Sequence, residues 1–178
     1  MNIQRFIEPY YEGSVQLSID GVDEPASSFT YGPGGNVTAP VVPVNTEGCS
    51  TSDFPASVAG NIALIQRGTC SFSIKVGNAG AAGAVGAIIY NNVDGDVAGT
   101  LGTPQPVEGS YVPVAGLSKA RGDALLAATQ AGTVTAELNA YGLSEDRVTY
   151  NVIAQSKGGD KNSVVMAGSH TDSVTAGP

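Results

Sequence analysis

The chain has no tryptophan, one histidine, two cysteines and few charges: only 13% of its 178 residues are Asp, Glu, Lys or Arg. Each shortage excludes something. With 8 basic against 16 acidic residues, a net charge of −8 and no Lys/Arg cluster, nothing neutralises phosphates, so nucleic acid is not an expected partner. No apolar run approaches the ~20 residues that span a bilayer as a helix, so no membrane contact is expected. A single histidine, His170, cannot by itself build a catalytic metal site, which takes ~3 protein ligands plus water. The scattered Ser, Asp and Lys residues show no nucleophile–base spacing and read as turns and solvated faces.

What is present suits one domain, or a domain with a fragment of another. Apolar residues make up 42%, enough for a core, and glycine is abundant at 24 residues. Cys49 and Cys70 each sit in a loop-like setting, "EGCSTS" and "RGTCSF". A disulfide between them is the expected state, with two free thiols as the alternative. Asn36-Val37-Thr38 is a glycosylation sequon, and the turn-rich "YGPGG" before it places it at the surface. Together these features point to a secreted protein. No signal peptide is visible, because "MNIQRFIEPYYEG" lacks an apolar core and begins as a strand would, so the chain reads as cut at both ends.

Local patterns predict a mixed α/β, β-rich fold. Val15, Leu17 and Ile19 alternate with Gln16 and Ser18, and Asp20-Gly21 then marks a hairpin turn, with the next strand expected through "PASSFTY". "TAPVVPV" at 38–44 is apolar, but two prolines restrict it to an edge strand or an extended crossing. "NIALIQRG", a helix from about 73 to 83, and "AVGAIIY" form a strand–helix–strand unit that favours a parallel pair. "YVPVAGL" is a strand, and 118–131 is the second main helix, with Ser118 as N-cap and Gly132 as stop. "TVTAELNA" reads as an exposed-edge strand and "GLSEDR" at 142–147 as a polar linker. Strands are expected at 2–8, 148–155 and 163–169, pairing apart from the middle. Gly77, Gly80, Gly83 and Gly86 lack the G-x-G step of a dinucleotide loop and read as small residues letting a helix approach a sheet. "VDGDVAG" lacks the spacing of a calcium loop.

From "GNIALIQRGTCSFSIKVGNAGAAGAVGAIIYNN" onward the chain resembles the protease-associated domain inserted in secreted peptidases. Arg67, Gly68, Cys70 and Phe72, the Ala/Gly-rich helix, "AIIYNN" and "YVPVAGLSKARGDALLAA" occur in that family's order. The resemblance covers about 13–145 and implies a sandwich or open-barrel-like module with two main helices, non-catalytic, which shapes substrate access or binds partners. The tail, "SVVMAGSHTDSVTAGP", is similar to the start of the catalytic domain of di-zinc aminopeptidases of the leucine aminopeptidase and aminopeptidase Y type. Gly168, Ser169, His170, Asp172, Ser173, Gly177 and Pro178 match that pattern. The resemblance implies three segments: 1–12, a catalytic-domain strand; 13–145, the protease-associated domain; and 146–178, the beginning of the zinc-peptidase domain, with strands of a truncated α/β sheet. It implies that His170 is a zinc ligand and Asp172 the carboxylate that orients a ligand. Two zinc ions would polarise a peptide carbonyl and lower the pKa of a bridging water. The family's other ligands fall after Pro178, so this chain alone is expected to hold no stoichiometric zinc. Peptides or proteins would be substrates, and the rest of the catalytic domain a partner. The alternative is the binding module of another secreted protease or a receptor, against which "GSHTDS" argues.

Overall fold

The computed structural model describes residues 1–103, 110–160 and 162–170. Its strands and helices are β1 (Asn2–Ile19), β2 (Val22–Glu24), β3 (Phe29–Thr30), β4 (Gly35–Pro43), β5 (Ile62–Gln66), α1 (Phe72–Ala81), β6 (Gly86–Tyr90), β7 (Gly99–Thr100), β8 (Val114–Leu117), α2 (Lys119–Ala131) and β9 (Thr135–Ile153). Seven strands form one sheet in the order β2-β1-β9-β4-β5-β6-β8, and β3 pairs with β7. The chain divides into two compact units, 8–147 and 1–7 with 148–178.

Local chemistry accounts for the expected elements. Asp20 (φ 49°) and Gly21 (φ 80°) form the two-residue turn between β1 and β2, where Ile19 faces Val22. Such a turn needs positive φ at both central residues, which Gly supplies without strain and Asp tolerates. β5 and β6 run parallel on either side of α1, from Ile62 beside Gly86 to Gln66 beside Tyr90. Alternation sorts their side chains: Ile62, Leu64 and Ile88 enter one core, Ala63, Ile65 and Ile89 the other. A strand buried on both faces reads as an unbroken apolar run, which is why these two were legible. α1 closes one face with Val76 and Ala79, and α2 closes the other with Leu125. Burial of each Val, Leu and Ile side chain among these stabilises the fold by about 1.5–3 kcal/mol relative to exposure.

Ser27 exchanges two backbone hydrogen bonds with Gly116 of β8, at 2.9 and 2.8 Å. The segment that follows β2 therefore meets the strand at the opposite end of the sheet order. This curls the sheet of the 8–147 unit around the core of Leu17, Val41, Leu64, Ile88, Leu117 and Leu138.

Several expectations are corrected. Residues 38–44 are not an edge: β4 lies between β9 and β5. Its first half is antiparallel to β9, through Pro40 beside Thr135, and its end is parallel to β5, from Val41 beside Ile62. Val41 N–H points to Val134 O and Val44 N–H to Leu64 O. By alternation, the donorless nitrogens of Pro40 and Pro43 face sides where no strand is paired, so neither breaks a ladder. Residues 133–140 are not an exposed edge either, because β9 sits between β1 and β4. "GLSEDR" is not a linker but part of β9, where Arg147 stacks over the Tyr10 ring at 3.3 Å and pairs with Glu145 at 2.6 Å. The expected strand through "PASSFTY" is reduced to β3, and 163–169 contains no strand. Val164, Val165 and Met166 are largely exposed, and no ladder partner pairs with them among the described residues. The flanks at 2–8 and 148–153 are not separate strands but continuous parts of β1 and β9. Ser118 occupies the N-cap position of α2 without a side-chain cap bond, and Gly132 ends it in extended conformation. Gly80 makes room for the Ser110 carbonyl, not for the sheet: a Cβ there would lie 1.9 Å from that oxygen.

Candidate functional site

His170 lies in an exposed, irregular segment after β9, with Ser169 Oγ donating to its carbonyl oxygen at 3.2 Å. Asp172, Ser173, Gly177 and Pro178 lie outside the described residues. Among the described residues no group of three or more His, Cys, Asp or Glu side chains could hold a metal. The described residues therefore gather fewer than the ~3 protein ligands a catalytic zinc requires. The described residues do not by themselves fit a zinc site.

Cys49 and Cys70 are joined as a disulfide with a Cα–Cα distance of 5.8 Å. Around it the structure builds a polar corner. Glu47 accepts hydrogen bonds from the Thr69 N–H and hydroxyl, both at 2.7 Å. These bonds hold its carboxyl below the usual carboxylate range, with Lys75 adding a smaller attraction. Lys75 is fully buried on α1 and donates to the Glu47 carbonyl oxygen. Burial pushes its ammonium pKa down, against the pull of Glu47 and Asp53. Asn78 Nδ2 donates to Gly48 O at 3.2 Å. The sequence reading missed Lys75 by assigning lysines to solvated faces. Its spacing carried the signal: it lies three residues after Phe72 and four before Ala79, on the stripe α1 buries.

Arg67 of the "RGTCSF" segment donates to Asn91 Oδ1 at 3.1 Å. Asn91 is buried and donates to the carbonyls of Gly95 and Asp96 at 3.2 and 2.9 Å. Phe72 meets Phe29 edge-on with ring centroids 4.9 Å apart. The motif residues thus tie α1 and the loop after β6 to the end of β5. They are a structural brace, and no nucleophile–base pair is among them.

Asn36 is exposed on β4, directly across from Asn139 of β9. Beyond it is an open groove of about 670 Å³ whose polar lining includes Gln16, Ser18, Asp23, Glu24, Glu137 and Asn139.

The brace, the bridge and the tail can be set beside known proteins. The PA domain family model matches residues 37–125, half of the chain. The chain belongs to the PA domain family. It is 52% identical over 162 residues to a probable leucine aminopeptidase 2 of Aspergillus fumigatus, covering 91% of this chain and 32% of that protein. It is 44% identical to leucine aminopeptidase 2 of Trichophyton equinum, covering 98% of this chain and 35% of that protein. The chain thus spans about a third of the length of these curated relatives. Among solved structures it is similar to an aminopeptidase from Aneurinibacillus sp. strain AM-1, with TM-score 0.71, 37% identity, 84% of this chain and 36% of that one. It is also similar to a zinc aminopeptidase from Bacillus subtilis, with TM-score 0.64, 30% identity, 83% of this chain and 35% of that one. The β-rich α/β architecture with two helices is that of the PA-containing part of these enzymes.

Proposed function

We propose that this PA domain chain is part of a secreted, zinc-dependent aminopeptidase that removes N-terminal residues from peptides. Residues 13–145 are its non-catalytic module, which governs substrate access or contacts partners, while 1–12 and 146–178 belong to the catalytic domain. The observation that carries the reading is the extent of the likeness: 98% of the chain, tail included, aligns with a leucine aminopeptidase. The bridge between Cys49 and Cys70 supports an oxidising compartment. His170 would be a zinc ligand, completed by donors from elsewhere in the protein, and Asp172 would orient a ligand of that site. Bound zinc would supply Lewis acidity and an activated water.

The test is His170→Ala in the full-length protein. We expect loss of nearly all aminoacyl-nitroanilide turnover and of bound zinc, with an unchanged circular dichroism spectrum, because the residue is exposed and outside the core. Near-normal turnover would overturn the assignment of His170.

A further inference from the structure

We propose that Asn36 carries an N-linked oligosaccharide, and that the polar face formed by β4, β9 and β1 is therefore a solvent-facing surface of the protein. The proposal rests on the reading that the chain enters a secretory pathway. Asn36-Val37-Thr38 supplies the acceptor amide, a non-proline middle residue and the required hydroxyl. The structure adds what the motif alone does not. Alternation along β4 sends Val37, Ala39 and Val41 into the core around Leu138, so Asn36 and Thr38 point to the opposite face. Both are exposed. Their cross-strand neighbours there are Asn139 and Glu137, and Asn139 Nδ2 donates to Glu137 Oε1 at 3.0 Å. The groove that contains Glu137, Asn139, Gln16 and Ser18 lies alongside. At Asn36, Thr38, Glu137 and Asn139 this surface is made of amide, hydroxyl and carboxylate groups, with which a sugar can hydrogen-bond.

Topology also leaves time for the transfer. The sequon's ladder partner is β9, about 100 residues later, and at ~5–20 residues per second it emerges on the order of 10 s after Asn36. Until then, β4 can pair with β5 only at Val41, Val42 and Pro43, beyond the sequon. Asn36 is thus still unpaired when a nascent chain meets a lipid-linked oligosaccharide diphosphate. A bond forms between Asn36 Nδ2 and the anomeric carbon. The anomeric carbon–oxygen bond to the diphosphate breaks, and the amide proton leaves with the lipid diphosphate. The folded strand then accommodates the product, because the Asn36 side chain faces solvent.

The test is to express the chain behind a secretion leader in a yeast host and map its peptides by mass spectrometry before and after amide-cleaving glycosidase. We expect a sugar-bearing Asn36 peptide, and treatment should release the sugar and leave an aspartate side chain in place of the asparagine. N36Q and Thr38→Ala should lose the modification, and Thr38→Ser should keep it. The sugar should be removable without denaturation. An unmodified Asn36 peptide in protein recovered from the secretory pathway would overturn the proposal, and a sugar released only after unfolding would overturn the solvent-facing assignment. The readout is a peptide mass, so it stands even if the aminopeptidase reading fails. Natural secretion is read separately, from the source organism's culture fluid.

Discussion

Removing the Cys49–Cys70 bridge is the perturbation whose size follows most directly from the structure. The two cysteines are 21 residues apart in sequence. Freeing a loop of that length returns about 11 cal/mol/K of chain entropy to the unfolded state, or about 3 kcal/mol at 25 °C. The native corner has other ties: Thr69 to Glu47, Lys75 to the Glu47 carbonyl and Asn78 to Gly48. The folded state should therefore persist, and the effect should fall mainly on the unfolded ensemble. For the Cys49→Ala/Cys70→Ala variant we expect a fall in Tm of about 6–12 °C. Urea titrations followed by circular dichroism should give a loss near 3 kcal/mol, with the near-ultraviolet signal intact before denaturation. The parent protein, unfolded without reductant, should show no titratable thiol. A stability loss below about 1 kcal/mol would refute the loop-entropy argument, and a lost near-ultraviolet signal without urea would refute the claim that the remaining ties hold the corner.

Gly122→Ala tests packing against propensity. Alanine gains about 1 kcal/mol in a helix, but a Cβ here would sit 2.1 Å from Tyr90 Cβ. We expect a net loss of about 1–3 kcal/mol by thermal melting, and a raised Tm would show that α2 shifts freely. Glu47→Gln tests the lowered carboxyl. Its folded pKa lies below the unfolded value of about 4.3, so its stabilisation is full above that value and is lost as pH falls through the folded one. The variant's urea midpoint should vary less with pH in this acid window, and parallel profiles would contradict the Thr69 contacts as the cause. For Lys75 the slope has the same sign but lies in the alkaline range, because its folded pKa also lies below the ordinary lysine value. The folded state binds fewer protons between the two, so wild type should gain stability relative to Lys75→Met as pH rises toward about 10.4. An unchanged difference would mean that Lys75 is hydrated. The 178-residue chain itself should hold no stoichiometric zinc by metal analysis and cleave no aminoacyl-nitroanilide. Zinc-dependent cleavage would show that the missing ligands are not needed.

The sequence alone determined what is decided within a few residues. Asp20-Gly21 specifies its turn through backbone φ, and the apolar runs of β5 and β6 and the stripe of α1 specify elements whose partners follow closely in the chain. The motif order around Arg67 and Cys70 was legible as a family likeness. The likeness also singled out His170, whose role as a zinc ligand stays a proposal, since the described residues gather no group of three or more ligating side chains. Only tertiary structure decided that the two-proline segment lies inside the sheet, that 142–147 continues a strand, that Lys75 is buried and that Ser27 meets Gly116. Each of these depends on a distant neighbour: Asn36 and Asn139 are ladder partners, and Lys75 is held by Glu47 across the disulfide-bridged loop. A proline's missing donor matters only if another strand faces it, and a lysine's charge is costly only where no carbonyl or carboxylate awaits it. Those conditions belong to the assembled sheet, because local propensity and periodicity carry no record of which distant segment will supply the partner.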